Sequence, residues 1–238
     1  MELTKETLEK LAKLPTGNVA DNNNSAARQG VMDSGIKPID PKSHIVGRAV
    51  TVKCQPGDNL AIHQGIYAAQ PGDVLVCDLR GYNQGGHFGD IMALACKVRG
   101  LAGVVLDGSC RDSEDIKALG FPVFSRGLNP SGTVKASLGQ INVPVICGGV
   151  EVNPGDIILG DCDGVVVVPQ EQEDEVFEKA LAKYEKEQHI VEQLFAGKTT
   201  LEIYGFDKLI EKLENILTIG VSTGGDFAPG CKSNELTQ

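Results

Sequence analysis

The sequence predicts an α/β fold, and three observations support this prediction. Short runs rich in Val and Ile alternate with segments whose apolar residues recur at helical spacing. Gly and Pro mark the boundaries between these segments. The 238 residues are enough to bury a core without disulfides or a structural metal. Because no stretch has the composition of a linker, we expect a single domain over residues 1–238 with a helical arm at each end.

The expected sheet and its helices follow from the pattern of apolar residues. A short amphipathic helix is predicted over 3–13, and residues 18–43 are polar and rich in turn residues. Runs of β-branched residues predict strands over 44–54, 71–79, 103–108, 121–127, 143–150 and 163–169. A turn and strand over 153–161 resemble those of 71–78. Helical patterns predict helices over 58–69, 91–99 and 112–119, and Gly100 and Gly120 end the last two.

A long, charged helix is predicted over residues 170–196, ending at Gly197. Its apolar positions share one narrow face and are Val176, Phe177, Ala180, Leu181 and Tyr184. A further helix is predicted over about 206–216. The tail after Thr223 has no clear period, so it is expected to be disordered.

The composition argues against several classes of function. Asp and Glu number 32 against 22 Lys and Arg, and the resulting net charge of −10 argues against nucleic-acid binding. No apolar run approaches the ~20 residues of a membrane span, and the N-terminus lacks the apolar core of a signal peptide. The seven cysteines form no CxxC pair, which argues against a disulfide framework or a zinc–thiolate site. We therefore expect a cytoplasmic protein without nucleic-acid or membrane partners.

A glycine-rich segment, GYNQGGHFGD over residues 81–90, follows a predicted strand and leads directly into a helix. Free backbone N–H groups at such a helix N-terminus suit a carboxylate ligand when glycines allow its approach. The segment matches neither the GxxxxGK[ST] pattern of a P-loop nor the GxGxxG order of a dinucleotide site. It therefore predicts a site for a small acid rather than for a nucleotide.

Twenty residues separate Asp90 from the pair Arg111 and Asp112. The intervening segment has the length of one helical crossover, which returns the chain to a neighbouring strand. Both motifs are then expected beyond the carboxyl ends of adjacent strands, where open α/β sheets bind ligands. Carboxylate oxygens suit Mg²⁺ or Mn²⁺, and a guanidinium suits two-pronged binding of a carboxylate or enolate.

This pattern, set in GGHFGDIMALACKVRGLAGVVLDGSCRDSEDI, resembles the 4-hydroxy-4-methyl-2-oxoglutarate / 4-carboxy-4-hydroxy-2-oxoadipate aldolase family, which includes the RraA-like regulators of ribonuclease E activity. The resemblance extends to FPVFSRG, INVPVICGGVEVNPGD and GDCDGVVVVP and covers about residues 45–205. It implies an RraA-like layered α/β sandwich with a long C-terminal helix, assembled as a homotrimer or homohexamer. It also implies a class II pyruvate aldolase that acts on a 4-hydroxy-2-oxo acid and decarboxylates oxaloacetate as a side activity. The implied cofactor is a divalent metal, Mg²⁺ first and Mn²⁺ or Co²⁺ as alternatives.

The resemblance further implies roles for individual residues. Asp112 would bind the metal, Asp90 would hold a water of that metal, and Arg111 would contact the pyruvyl part of the substrate. An acid on the long helix of a neighbouring subunit would reach the metal's waters, with Glu187 the best match and Glu192 the alternative. The loop and first helical turn would complete the substrate site through Gly86, His87, Phe88, Gly89, Asp90, Ile91 and Met92.

Two of these loop residues depart from the family's pattern. His87 and Phe88 stand where the resemblance leads us to expect an apolar residue or Trp, which bears on substrate specificity. The other histidines of the first half, His44 and His63, are expected to be structural.

Other interpretations of the motif stay open at the level of sequence. Arg111 and Asp112 are also compatible with a plain salt bridge or with a helix cap at Asp112. Lys53 and Lys135 are candidates for a Schiff base, but neither lies near the motif in sequence, which disfavours a metal-free aldolase. The main rival is a non-catalytic binding protein like the ribonuclease-regulating relatives, and the complete motif argues against it. A methyltransferase lacks a supporting cofactor motif.

Overall fold

The computed structural model describes residues 4–23 and 30–222. Its helices and strands are α1 (Lys5–Leu11), α2 (Thr16–Asn22), β1 (Lys37–Pro38), β2 (Ile45–Lys53), α3 (Leu60–Ala68), β3 (Val74–Gly86), α4 (Asp90–Val98), β4 (Gly103–Cys110), α5 (Ser113–Leu119), β5 (Val123–Leu128), β6 (Gln140–Ile141), β7 (Val145–Cys147), β8 (Val150–Val152), β9 (Ile157–Asp161), β10 (Gly164–Val168), α6 (Glu173–Phe195), α7 (Thr200–Tyr204) and α8 (Phe206–Ser222). Strands and helices alternate through the first half of the chain, which confirms the predicted α/β class.

The main sheet has the strand order β1-β5-β4-β3-β2-β9-β10, and β6 pairs with the last two residues of β2. Strands β2, β3, β4 and β5 are mutually parallel, whereas β1, β6, β9 and β10 pair antiparallel with their neighbours. The carboxyl ends of β2, β3 and β4 therefore meet at one edge of the sheet. That edge is where a ligand site is expected in an open α/β sheet.

Alternate residues of β3 pack into two different hydrophobic cores. Leu75 and Cys77 belong to the core that also holds side chains of α3, α4 and α5. Val74 and Val76 point to the other face, where the core includes residues of β7, β8 and β10. A third core joins α1, α2 and α6 to β9 and β10. These layers confirm the predicted sandwich.

The long C-terminal helix is confirmed as α6, preceded by one turn of 3₁₀ helix over Gln170–Gln172. All five residues of its predicted apolar face pack against the third core. Val176, Phe177 and Ala180 are buried there, and Leu181 and Tyr184 are partly buried. Only the first half of this helix offers such residues, so the fold holds the helix mainly by its N-terminal turns.

The structure differs from the sequence-based expectations at several places. β3 continues through Gly86, so the first part of the segment predicted as a loop over 81–90 is strand, paired to β4 after two register shifts. The strand predicted over 143–150 is the hairpin β7–β8, because Gly148 and Gly149 both adopt positive φ, 58° and 77°, and turn the chain. Helix α2 extends through Asn22, into the stretch from residue 18 that was expected to be rich in turns.

The chain divides into two compact units, Met1–Tyr184 and Glu185–Gln238. In its described part, the second unit holds the end of α6 followed by α7 and α8. Thr199 begins α7 with a capping box to Glu202. α8 extends beyond the predicted limit of residue 216. The tail after Thr223, predicted to be disordered, lies outside the described residues.

Five of the cysteines are buried in the cores, and Cys162 is exposed. Burial raises the pKa of the Cys96 thiol to about 12, which keeps it protonated and unreactive at neutral pH. Cys231 lies outside the described residues. Within the described part of the chain, no helix is both long and apolar enough to cross a membrane.

Candidate active site

The two predicted motifs lie side by side at the carboxyl edge of the parallel strands. Asp90 is the first residue of α4, which follows β3, and Arg111 directly follows β4. The backbone N–H of Arg111 donates to the carbonyl oxygen of Phe88 at 2.9 Å, which joins the two segments beyond the regular strands. Since β3 and β4 are parallel neighbours, the crossover predicted from the 20-residue spacing is confirmed.

Two glycines make room for the side chains of Arg111 and Asp112. A Cβ atom at position 86 would lie 2.8 Å from Cβ of Arg111, and one at position 89 would overlap Oδ2 of Asp112. Neither Gly86 nor Gly89 has a positive φ, so the need is for space and not for backbone freedom. The two glycines therefore form a cradle for Arg111 and Asp112 at the start of α4.

Asp112 occupies the N-cap position of α5 but does not cap that helix. Its backbone is left-handed, with φ 57° and ψ 40°, and its side chain accepts no hydrogen bond from the helix. Oδ2 of Asp112 lies 3.3 Å from Nε of Arg111, with the side chains 33% and 45% exposed, respectively. The alternative of a capping role is thus wrong, while the salt bridge is present. A left-handed conformation at a non-glycine residue is a strain that clusters at functional sites.

A cleft of about 250 Å³ brings seven of the predicted site residues together. They are Gly86, Gly89, Asp90, Ile91, Met92, Arg111 and Asp112. Because the N-cap of α4 is Gly89, no side-chain oxygen caps the first turn of this helix. The cleft therefore borders a helix N-terminus whose amides suit an anionic ligand.

The side chains of His87 and Phe88 are fully buried beneath the cleft and do not line it. Nε2 of His87 accepts a hydrogen bond from Gly57 N–H at 3.1 Å, and Nδ1 lies 3.3 Å from Ser109 O. Burial lowers the pKa of His87 by more than its hydrogen bonds raise it, so the ring is neutral at pH 7. Strand pairing continues through Gly86, and the chain then turns both side chains into the core. The part that this segment takes in substrate binding stays a prediction.

The remaining lining of the cleft comes from two distant segments. Asn59 and His63 lie at the start of α3, and Gly132, Thr133 and Lys135 lie after β5. His63, expected to be structural, therefore borders the cleft, and Lys135 lies on it although it is far from the motif in sequence. Because β2 is parallel to β3, the rule that ligands bind beyond strand ends would have pointed to Asn59. No comparable signal in the sequence marks Lys135.

Asp58 holds these two segments together. Its Oδ1 accepts a hydrogen bond from Leu60 N–H at 2.8 Å, and its Oδ2 accepts from Ala136 and Ser137 N–H at 2.5 and 2.8 Å. Burial raises the pKa of Asp58, but these hydrogen bonds together with the charge of Lys135 bring it below its usual value. The ionised carboxylate thus ties the start of α3 to the segment that carries Lys135.

The donor groups of the cleft fit a hard divalent cation. Asp90 and Asp112 supply carboxylate oxygens, and the Gly89 cradle leaves room for that of Asp112. Oxygen ligands with open positions for water are what Mg²⁺ and Mn²⁺ prefer. The residues present are therefore compatible with the metal that the resemblance implied.

A second acidic group, Asp161, Cys162 and Asp163, has ligand atoms within 4.8 Å of one another. Both oxygens of Asp161 already accept hydrogen bonds, from Thr16 N–H and Oγ1 and from Asp163 N–H. Asp161 ends β9, and the preceding Gly160 pairs with Ile45 at the start of β2, which places Asp161 at the end of the sheet opposite the cleft. Local hydrogen bonds therefore explain the position of the Asp161 carboxylate without a bound metal.

The two acids predicted on the long helix belong to the second unit. Glu187 is half-buried, and Glu192 is exposed with Oε2 3.1 Å from Nδ1 of His189. The role of either acid at a metal site stays a prediction.

Comparison with known proteins decides the family. The model of the RraA-like family, Aldolase/RraA, matches residues 16–167. The chain belongs to this family. The resemblance based on Asp90, Arg111 and Asp112 is thereby confirmed. The RraA-like chain is also 45% identical over 152 residues to a protein of Halalkalibacterium halodurans named "Putative 4-hydroxy-4-methyl-2-oxoglutarate aldolase", covering 64% of this chain and 72% of that protein.

Two solved structures share the fold of this RraA-like chain. An uncharacterized protein from Pseudomonas syringae pv. tomato superposes with a TM-score of 0.73 at 31% identity, covering 84% of this chain and 92% of that one. Streptomyces coelicolor RraAS2, described as an unusual member of the RNase ES inhibitor RraA protein family, superposes with a TM-score of 0.71 at 28% identity. That match covers 79% of this chain and 97% of RraAS2.

Proposed function

We propose that this RraA-like protein is a divalent-metal-dependent lyase that cleaves a 4-hydroxy-2-oxo acid, such as 4-hydroxy-4-methyl-2-oxoglutarate, to pyruvate and a second carbonyl compound. The observation that carries the proposal is the single cleft lined by Asp90, Arg111 and Asp112. The aldolase name of the relative at 45% identity supports the same class of reaction.

The residues of the cleft match the charges that move during this cleavage. A divalent cation held by Asp112 would supply Lewis-acid polarisation of the substrate's keto group. Arg111 binds the pyruvyl carboxylate and keto oxygen and stabilises the negative charge that develops as the bond between C3 and C4 breaks. The electron pair of that bond passes into the enolate of pyruvate. The 4-hydroxyl proton moves through a water to Asp90, and the return of a proton from Asp90 through that water to C3 of the enolate completes the reaction.

Positive charge in the cleft suits an acidic substrate. Arg111 and Lys135 both line the cleft, although the chain as a whole carries a net charge of −10. Burial and, second, the charge of Lys135 lower the pKa of His63, so this neighbour is neutral at pH 7. Asp90 and Asp112 offset these two cations, and a divalent metal ion held by the acids would leave the cleft with a net positive charge that matches the two carboxylates of a dicarboxylic 2-oxo acid.

Two further features belong to the proposal. Because decarboxylation of oxaloacetate passes through the same enolate of pyruvate, we propose it as a side activity.

We also propose a homotrimer or homohexamer in the cytoplasm, in which Glu187 of one subunit completes the site of the next. The long helix that carries Glu187 has most of its apolar contacts in its first turns, which leaves its second half for such a role.

The deciding experiment is a pyruvate-release assay on 4-hydroxy-4-methyl-2-oxoglutarate with and without EDTA. Chelation should abolish activity, and Mg²⁺, Mn²⁺ or Co²⁺ should restore it, since carboxylate sites favour hard cations. Full activity in excess EDTA would contradict the metal-dependent mechanism.

A second experiment tests the Schiff-base alternative with borohydride and pyruvate, because Lys135 lies on the cleft. A stable mass increase of the chain would favour a metal-free aldolase.

A second function has support in the similarity to Streptomyces coelicolor RraAS2, whose title names an RNase ES inhibitor family. In that case the chain would bind a ribonuclease and release no pyruvate from any 2-oxo acid. The complete Asp90, Arg111 and Asp112 set favours the lyase. Inhibition of a ribonuclease that survives Arg111→Ala, without detectable lyase activity, would favour the binding protein.

A further inference from the structure

Asn59 is the most deeply buried polar side chain that lines the cleft. It is 7% exposed and lies at the start of α3, one turn before His63. Among the residues that the structure describes, Oδ1 of Asn59 is a buried polar atom with no hydrogen-bond partner. Buried polar side chains are nearly always paired, so an unpaired acceptor on a residue that lines a cleft needs an explanation.

The usual explanation for Asn at a helix start does not apply. Asn59 is the N-cap of α3, where its side-chain oxygen would ordinarily accept from a backbone N–H of the first turn. It makes no such bond, and Oδ1 of the preceding Asp58 accepts from Leu60 N–H instead. The side-chain oxygen of Asn59 therefore takes no part in capping α3.

The amide of Asn59 is also held in one orientation. Nδ2 donates to the carbonyl oxygen of His87 at 3.0 Å and lies 3.7 Å from Sδ of Met92. Rotation of the amide by half a turn would place two acceptor oxygens against each other. Oδ1 therefore has to point away from His87, and it can be satisfied only by a group that brings a hydrogen-bond donor.

The chemistry of the proposed substrate identifies that donor, so the inference rests on the proposed function. In an ionised 4-hydroxy-2-oxo acid, the carboxylates and the keto group can only accept hydrogen bonds, and Arg111 and Lys135 supply donors for them. The 4-hydroxyl is the one donor. We propose that Oδ1 of Asn59 accepts a hydrogen bond from this hydroxyl and orients the bond between C3 and C4 for cleavage. Because an amide oxygen is not basic, Asn59 is a positioning residue. It holds the hydroxyl in the bound substrate, and the hydroxyl proton turns from Asn59 to the water beside Asp90 as the bond breaks.

The test compares two reactions that share the enolate but differ in the hydroxyl. Asn59→Leu removes the acceptor at nearly constant volume. It should lower kcat/KM for cleavage of 4-hydroxy-4-methyl-2-oxoglutarate by about 10- to 100-fold, as expected for loss of one hydrogen bond to a substrate hydroxyl. Decarboxylation of oxaloacetate, whose keto form has no hydroxyl at this carbon, should change less than about threefold. Asn23→Leu, at a buried asparagine outside the cleft, is the matched control and should leave the ratio of the two reactions unchanged.

A fall of both reactions by the same factor in Asn59→Leu would show a merely structural role and overturn the inference. If Asn59→Leu does not fold by circular dichroism, Asn59→Ala replaces it in the same comparison. If the wild type cleaves no hydroxy acid, the proposed function fails. The hydrogen bond to Asn59 is then tested separately by measuring ligand binding. Calorimetric titration should then show that 4-hydroxy-2-oxoglutarate binds more tightly than 2-oxoglutarate to the wild type and equally to Asn59→Leu. An equal preference for 4-hydroxy-2-oxoglutarate in the wild type and in Asn59→Leu would overturn the proposed hydrogen bond to Asn59.

Discussion

Gly89 and Asp112 lie so close that a Cβ atom on residue 89 would overlap Oδ2 of Asp112. The two residues belong to different segments, one before α4 and the other after β4. The contact therefore couples the glycine-rich approach to the helix with the predicted metal ligand. It gives a steric reason for the glycine, since Gly89 has an extended backbone with φ −136° that other residues adopt readily.

Gly89→Ala is predicted to impair activity by displacing the carboxylate of Asp112. The expected result is a lower kcat and a higher metal concentration for half-maximal activity, because a misplaced ligand weakens a metal site. Metal titration of the pyruvate-release assay measures both. Gly17→Ala, at a glycine with nothing within 4 Å of the added Cβ atom, is the control and should behave like the wild type. An unchanged metal requirement in Gly89→Ala would show that Asp112 does not hold the metal.

Arg111→Lys is predicted to be badly impaired although the charge survives. Lys cannot reproduce a flat, two-pronged contact with a carboxylate or an enolate. We expect a loss of about 2–4 kcal/mol in kcat/KM, comparable to removal of a donor to a developing oxyanion. Steady-state kinetics with melting temperatures as a folding control measure this. A Lys variant of near wild-type activity would mean that Arg111 serves only as the ion-pair partner of Asp112.

Asp58→Asn is predicted to destabilise the first unit by about 1–3 kcal/mol, because the side-chain amide cannot accept all three backbone hydrogen bonds. The pKa of Asp58 is lowered in the folded state. Its contribution to the free energy of unfolding is therefore present above the pKa of the unfolded chain, and it is lost as the pH falls through the folded pKa. Urea unfolding from pH 7 to pH 3 should show the gap between variant and wild type closing at the acid end. A gap that stays constant with pH would contradict the role of the ionised carboxylate.

A mixture of Asp112→Ala and Glu187→Ala is predicted to regain part of the activity that each variant lacks alone. If the site is shared between subunits, some interfaces of a mixed oligomer pair two wild-type residues. Co-expression followed by the pyruvate-release assay measures the recovery, and native mass determination confirms the mixing. A parallel mixture with Glu192→Ala tests the alternative acid. No recovery in either confirmed mixture would remove both acids from the site.

The parts of the fold that were predicted correctly share one property: their signals are local in sequence. The β-branched runs of β2 to β5 and the helices between them follow from hydrophobic periodicity and glycine stops. The placement of Asp90 and Arg111 at the same end of the sheet was also predictable, since a single crossover of 20 residues sets it. The hairpin β7–β8 was missed because an apolar run with two internal glycines has the pattern of one strand.

The α/β class, the family and the motif of Asp90, Arg111 and Asp112 can be derived from the amino-acid sequence, because each depends on short-range pattern and spacing. The residues that complete the cleft can be identified only from the three-dimensional structure. Asn59 and Lys135 are far apart in the chain, and Asp58 brings them together through hydrogen bonds to backbone groups that have no sequence signature. The three-dimensional structure also shows that His87 is a core residue, because the direction of its side chain depends on how far β3 pairs with β4.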